Sequence, residues 1–185
     1  QAQIPGNEPA AGEGALSLAT ALAGGHLKDG NGGDILDTLN IMIIPRINPD
    51  GSKEFQRANT ANGINMNRDY LVVKSSEVEM VLRAYNAFLP DVAIDAHEWT
   101  PNTMSGTGVF DDLQLWSAGS LNNDPAMLNT SIEMMETVFT AAEAQGIRPY
   151  FYQGNITFGA GSNSIGPWYY GLRGTYGFCV ETRGI

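Results

Sequence analysis

The stretch SEVEMVLRAYNAFLPDVAIDAHE, Ser76 to Glu98, decides the fold. Its first half carries Val78, Leu82, Tyr85 and Leu89 at helical spacing, one apolar stripe over four turns. Ser76 with Glu79 reads as a capping box at the start, and Pro90 ends the helix. Val92 to Ala96 then forms a short apolar strand that delivers His97 at its C-terminal end. A helix that feeds a strand in this way is the repeating unit of an α/β protein.

The same alternation extends outward. Ala10 to Ala23 reads as a helix with Leu16, Ala19 and Leu22 on one side, stopped by Gly24-Gly25. Leu39 to Ile44 reads as a buried strand closed by Pro45. Asn48-Pro-Asp-Gly51 is turn chemistry, since proline presets φ and glycine permits positive φ. Asp124 caps a long helix with Pro125 in its first turn. Leu128, Ile132, Met135, Phe139 and Ala142 follow as its buried stripe, and Gly146 closes it. Met127, Met134 and Met135 on this helix read as core packing. Tyr176 to Thr182 is a last strand. Together these elements predict one α/β domain over residues 1–185, three layers (α/β/α) around a mixed, mostly parallel sheet. Gln1 to Ile4 reads as the tail of a strand running into a turn at Pro5, so N-terminal edge strands and any secretion signal are expected upstream of Gln1.

Composition narrows the function classes. With 43% hydrophobic and 16% charged residues, the chain has the make-up of a globular domain. A net charge of −10 argues against nucleic acid or an anionic membrane as partner. No apolar run approaches the ~18 residues of a membrane span. Cys179 has no second cysteine to pair with and lies in an apolar run, where it reads as a small core residue.

The chemistry-bearing residues gather around predicted turns and strand ends. Glu8 and His97 each follow an apolar strand, where open α/β sheets place their sites. Singly, each has a plain structural reading: a hydrogen-bonded histidine after a strand, and a glutamate favouring a helix N-terminus. Asp95 reads equally as a partner of His97 or as a strand-end cap, and His26 as a solvated loop residue.

Taken jointly, the motifs resemble the zinc metallocarboxypeptidases of the carboxypeptidase A type along the whole chain. They are Pro5-Gly-Asn-Glu8, Asn48-Pro-Asp-Gly51, Arg57, Asn67-Arg68, Asp95-Ala-His-Glu98 and Glu181-Thr-Arg-Gly184, in the family's order. The resemblance implies Glu8 and His97 as zinc ligands and Arg57 as the arginine that polarises the scissile carbonyl. It implies Asn67 and Arg68 as the clamp on the substrate's C-terminal carboxylate, and Glu181 as the general base. Tyr152 is the candidate for the family's substrate-binding tyrosine, and the residue that reads the substrate side chain falls near Ile165 and Gly166. A secreted enzyme acting on peptide or protein C-termini follows as an expectation. The chemistry agrees: a bidentate arginine suits a free carboxylate, and hydrolysis wants a carboxylate beside the attacking water.

Two positions depart from the pattern. Pro5 stands where the resemblance implies the first zinc-binding histidine, and Asn65 where it implies the aspartate that would orient that histidine. Two rival expectations follow: an inactive carboxypeptidase-like module that binds peptides or assembles with other proteins, and a related zinc acylase acting on N-acyl amino acids.

Overall fold

The computed structural model describes residues 1–99, 111–117, 122–151 and 163–184. Four strands, β1 (Val92–Trp99), β2 (Leu113–Ser117), β3 (Pro149–Phe151) and β4 (Tyr176–Arg183), form a sheet in the order β1-β4-β2-β3. β1 runs parallel to β4 and β2 parallel to β3, while β2 and β4 are antiparallel. Gln1 to Ile4 extends the sheet beyond β1: Ala2 bridges Ala96 in parallel, and the Ala96 N–H donates to the Gln1 carbonyl at 2.9 Å.

Among the described residues five α-helices flank the strands: α1 (Pro9–Ala23), α2 (Pro49–Lys53), α3 (Ser76–Phe88), α4 (Pro125–Ala144) and α5 (Gly166–Gly171). Strand alternation sorts them into layers. Phe178 and Leu115 pack with Met135 of α4 on one face. The opposite face is covered through Val78, Val81, Leu82 and Tyr85 of α3 with Tyr170 of α5, and Ala93 of β1 packs against that cluster. Gly177 is needed there, because a Cβ would lie 2.2 Å from the Pro167 carbonyl oxygen. The three-layer, mostly parallel arrangement expected from the alternation is the observed one.

Several local expectations need correction. Leu39 to Ile44 is not a buried strand. Only Ile44, whose carbonyl accepts the Ala2 N–H, is bonded to the strand-side segment; Leu39 is 50% exposed and its N–H turns back to the Ile35 carbonyl at 3.0 Å. An apolar run becomes a strand only where a neighbour supplies a ladder, and residues 39–43 run past the four-residue segment that pairs with Ile44. On α1, Leu16 faces outward, and Ala11, Gly12 and Leu22 are the buried positions. The cap of α3 is Ser75, whose Oγ accepts the Val78 N–H, and not a Ser76–Glu79 box. Leu89 is the left-handed C-cap of α3 and exposed rather than core. Asn48-Pro-Asp-Gly51 opens α2 instead of a simple turn, with Pro49 in its first turn and Asn48 Oδ1 accepting the Gly51 N–H. β1 continues to Trp99, so His97 stands inside the strand. Asp124, Pro125 and the core role of Met135 are as expected.

Candidate active site

The Pro5 turn brings Glu8 to β1. Pro5 is fully buried and its carbonyl accepts the Glu8 N–H at 3.2 Å, closing the turn. Gly6 inside it has no room for a side chain, since a Cβ would lie 2.2 Å from the Gly51 carbonyl carbon. Asn48 fixes the turn from outside. Its Nδ2 donates to the Ile4 carbonyl at 3.1 Å and to the Arg57 carbonyl at 3.2 Å. One buried amide therefore aligns the segment that carries Glu8 with the one that carries Arg57.

The side chains meet in a line. Glu8 Oε2 lies 2.7 Å from His97 Nδ1 and accepts the Glu98 N–H at 3.2 Å. Glu8 Oε1 accepts from Arg57 Nη1 at 3.2 Å. On the far side of the imidazole, Asp95 Oδ2 lies 3.1 Å from Nε2, an electrostatic contact without hydrogen-bond alignment. Glu8, His97 and Asp95 are all buried, whereas Arg57 is half-exposed. Glu181 is the parallel-strand register partner of His97, so both side chains leave the same face of the sheet. Of the residues singled out from the sequence, Glu8, His97 and Arg57 are in contact, and Glu181 leaves the same face as His97.

Charge shapes this line. Burial alone would strip the proton from His97, but the neighbouring Asp95 and Glu8 carboxylates outweigh it and raise the imidazole to about 10. Burial pushes the Glu181 carboxyl above its ordinary value. His97 and Arg57 pull it down, and the Glu8 and Asp95 charges add to the rise. A carboxyl held up in this way is a stronger base than an ordinary carboxylate. Cys179, the register partner of Asp95 on the same face, is buried, and its thiol is pushed well up by that burial.

Asn67 and Arg68 stand on a separate 3-10 turn, Met66–Arg68, opened by Asn65. Asn67 is buried, and its Oδ1 has no partner among the described residues. Arg68 is exposed, and its guanidinium donates to the Asn67 carbonyl at 2.6 Å. Ile165 packs with Trp168 and Trp116, and Gly166 sits tight against Gln1 and Tyr70. Tyr152 lies outside the described residues. His26 is exposed, in a loop.

Two contributors were not singled out from the sequence for the roles they play here. Asn48 was read only as turn chemistry, though its position ahead of Pro-Asp-Gly is an N-cap signal. Glu98 orients Glu8 through its backbone N–H and, from the opposite face of β1, its Oε2 accepts the Ala10 N–H at the start of α1 at 2.7 Å. No local pattern marks that second contact, which joins residues 88 apart.

Carboxylates, a histidine and an arginine thus gather on one face of a mostly parallel α/β sheet. The zinc carboxypeptidase family model matches residues 1–107, and the chain belongs to that family. It is 30% identical over 199 aligned residues to carboxypeptidase 2 of Trichophyton tonsurans and to carboxypeptidase 2 of Trichophyton equinum. All of the chain is covered in both alignments, and it spans only 36% of either relative's length. Its fold is like that of a metallo-carboxypeptidase from Burkholderia cenocepacia, with a TM-score of 0.71 at 19% identity over 98% of this chain and 46% of that one. A metallo-carboxypeptidase from Pseudomonas aeruginosa in complex with (2-guanidinoethylmercapto)succinic acid gives a TM-score of 0.56 at 18% identity, over 76% of this chain and 36% of that one. Among the described residues no helix is long and apolar enough to cross a membrane.

The family implies zinc, and the donor atoms decide whether this chain fits it. A catalytic zinc takes three protein ligands and keeps one position open. His97 Nδ1 and Glu8 Oε2 face each other at 2.7 Å and offer two donors. Pro5 offers no donor atom in its side chain. Among the described residues no group of three histidine, cysteine or acidic side chains is placed to hold a metal. The residues present do not fit a three-ligand zinc.

Proposed function

We propose that residues 1–185 form a carboxypeptidase-type domain that engages the C-termini of peptides or proteins, within a secreted protein. In the chain as it stands, recognition of the terminal carboxylate outlasts efficient hydrolysis. The observation that carries this reading is the meeting of Glu8, His97, Arg57 and Glu181 at one end of the β1–β4 pair. Asn67 and Arg68 supply amide and guanidinium donors for a free carboxylate, a geometry that arginine matches bidentately. Arg57 keeps one nitrogen on Glu8, and its half-exposed guanidinium has further N–H groups to offer a substrate carbonyl. Glu181, with its raised pKa, is the group to take a proton from the attacking water. Glu8 and His97 would hold a zinc only if a third donor stood in place of Pro5. With Pro5, the donor set is one short, which favours the binding-module reading over an active enzyme.

Two measurements test this. A peptide with a free C-terminus should bind the protein at least ~10-fold more tightly than its C-terminal amide, and Arg68→Gln should erase the difference. Equal binding of acid and amide sinks the carboxylate reading. Hydrolysis of a blocked dipeptide should stay near background for the unaltered protein, rise partly in Pro5→His and further in the double variant with Asn65→Asp. Turnover of an N-acyl amino acid in preference to the dipeptide would point to the acylase instead.

A further inference from the structure

We infer that the Asp95–His97–Glu8–Arg57 line is a metal-independent staple, in which the Arg57 guanidinium supplies Glu8 with the positive charge that a metal ion would otherwise bring. The inference rests on reading this end of the sheet as the family's active site. It concerns what holds that end together, not what it binds.

The geometry carries it. A buried carboxylate is stable only if its charge is balanced and its oxygens are hydrogen-bonded. Both conditions are met at Glu8 by the protein alone. One oxygen takes Arg57 Nη1 at 3.2 Å; the other faces His97 Nδ1 at 2.7 Å and accepts the Glu98 N–H at 3.2 Å. His97 is in turn held from behind by Asp95 at 3.1 Å. The backbone is arranged to keep Arg57 there, since its carbonyl accepts from the buried Asn48 amide at 3.2 Å and from the Gly6 N–H at 3.3 Å. A metal arriving between Glu8 and His97 would have to break their mutual bond and weaken the arginine's hold. It would find no third donor at Pro5 in return. The staple and the proline are therefore consistent with each other: the change that removes a ligand leaves a site whose remaining charges already close.

This assigns Arg57 a positioning role in addition to any contact with substrate. The test is thermal unfolding of the full protein, read by circular dichroism, with EDTA or with added zinc. A site that binds zinc at ~1,000 times its Kd should gain roughly 8–16 °C in Tm for a domain of this size. The unaltered protein should shift by less than ~2 °C with either reagent. Pro5→His should gain a clear zinc-dependent rise and bind zinc more than ~100-fold more tightly by calorimetry. Arg57→Gln should lower Tm by several degrees without metal, and Arg57→Lys, which keeps the charge, by clearly less. A rise above ~5 °C when zinc is added to the unaltered protein overturns the inference, as does a fall on treatment with EDTA. An Arg57→Gln protein with unchanged Tm overturns it too. If that variant fails to fold, the Lys variant decides: loss as large as for Gln counts against the staple. Peptide-acid binding is measured separately, so the functional reading can fail while the staple stands, or the reverse.

Discussion

At the scale of single residues, Asn48 shows how little of a site is visible in the side chains that do its chemistry. Its carboxamide is fully buried and joins the Ile4 carbonyl, the Arg57 carbonyl and the Gly51 N–H. Asn48→Ala should cost about 2–3 kcal/mol in urea unfolding, because it removes a helix cap and strands buried backbone carbonyls. Asn48→Asp keeps the Gly51 bond and loses the two donated ones, so it should fall between. A neutral Asn48→Ala would show that Glu8 and Arg57 are aligned by something else. Glu8, His97, Arg57 and Glu181 were legible because the types and order of their motifs are chemically distinctive. The partners were less so. Asp95 could be read two ways until its distance to His97 was known, and the bond from Asn48 to Ile4 spans 44 residues of chain. Pattern reading sees neighbours at two, three or four residues: Asp95 lies two from His97 on the same strand face, but the Asn48–Ile4 contact is far outside that reach.

At the scale of elements, helices were read better than strands, for a physical reason. A helix closes its hydrogen bonds within itself, so α4 starts at Asp124 and Pro125 and ends before Gly146 as its own residues dictate. A strand is completed by another strand, and Leu39 to Ile44 has strand composition without a ladder along most of its length. The short strand β3 went unpredicted, being only three residues long. It is fastened partly by charge. Asp112, next to β2, takes Arg148 beside β3 at 3.0 Å and Arg183 of β4 at 3.4 Å. The Arg148 hydrogen bonds hold the Asp112 carboxyl down at about 2. A carboxyl whose pKa is depressed in the folded state contributes its stability above the unfolded value near 3.8, and loses it as pH falls through about 2. Amide exchange at the β2–β3 end should therefore quicken between pH 4 and 2, ahead of the β1–β4 pair. Asp112→Asn should show the faster exchange already at pH 5 and little further change on acidification. Uniform protection of both strand pairs across this range would mean that the ion pair does not fasten the edge.

At the scale of the whole molecule, the site is a product of long-range closure. Glu8, Arg57, His97 and Glu181 lie far apart in sequence and meet only when Gln1 to Ile4, β1 and β4 lie side by side. Two cores hold that arrangement from opposite faces, one around Met66, Tyr70 and Tyr85 and the other around Leu115, Met135 and Phe178. β4 joins one of these cores to the site: Phe178 faces α4, while Cys179 and Glu181 leave the opposite face with His97. Damage on the α4 side should therefore reach the site through the strand, with no contact to any charged residue. Phe178→Ala leaves a cavity among Leu115, Met135 and Phe139 and should cost about 3–5 kcal/mol. If the sheet acts as one cooperative unit, peptide-acid binding and far-UV circular dichroism should move together to the lower urea midpoint. Binding at saturating peptide and low urea should remain, because the side chains of the site are untouched. A variant that loses binding well before its secondary structure would show that the Gln1–Glu8 segment undocks from β1 on its own. The site would then be a separately folding edge rather than a property of the whole sheet.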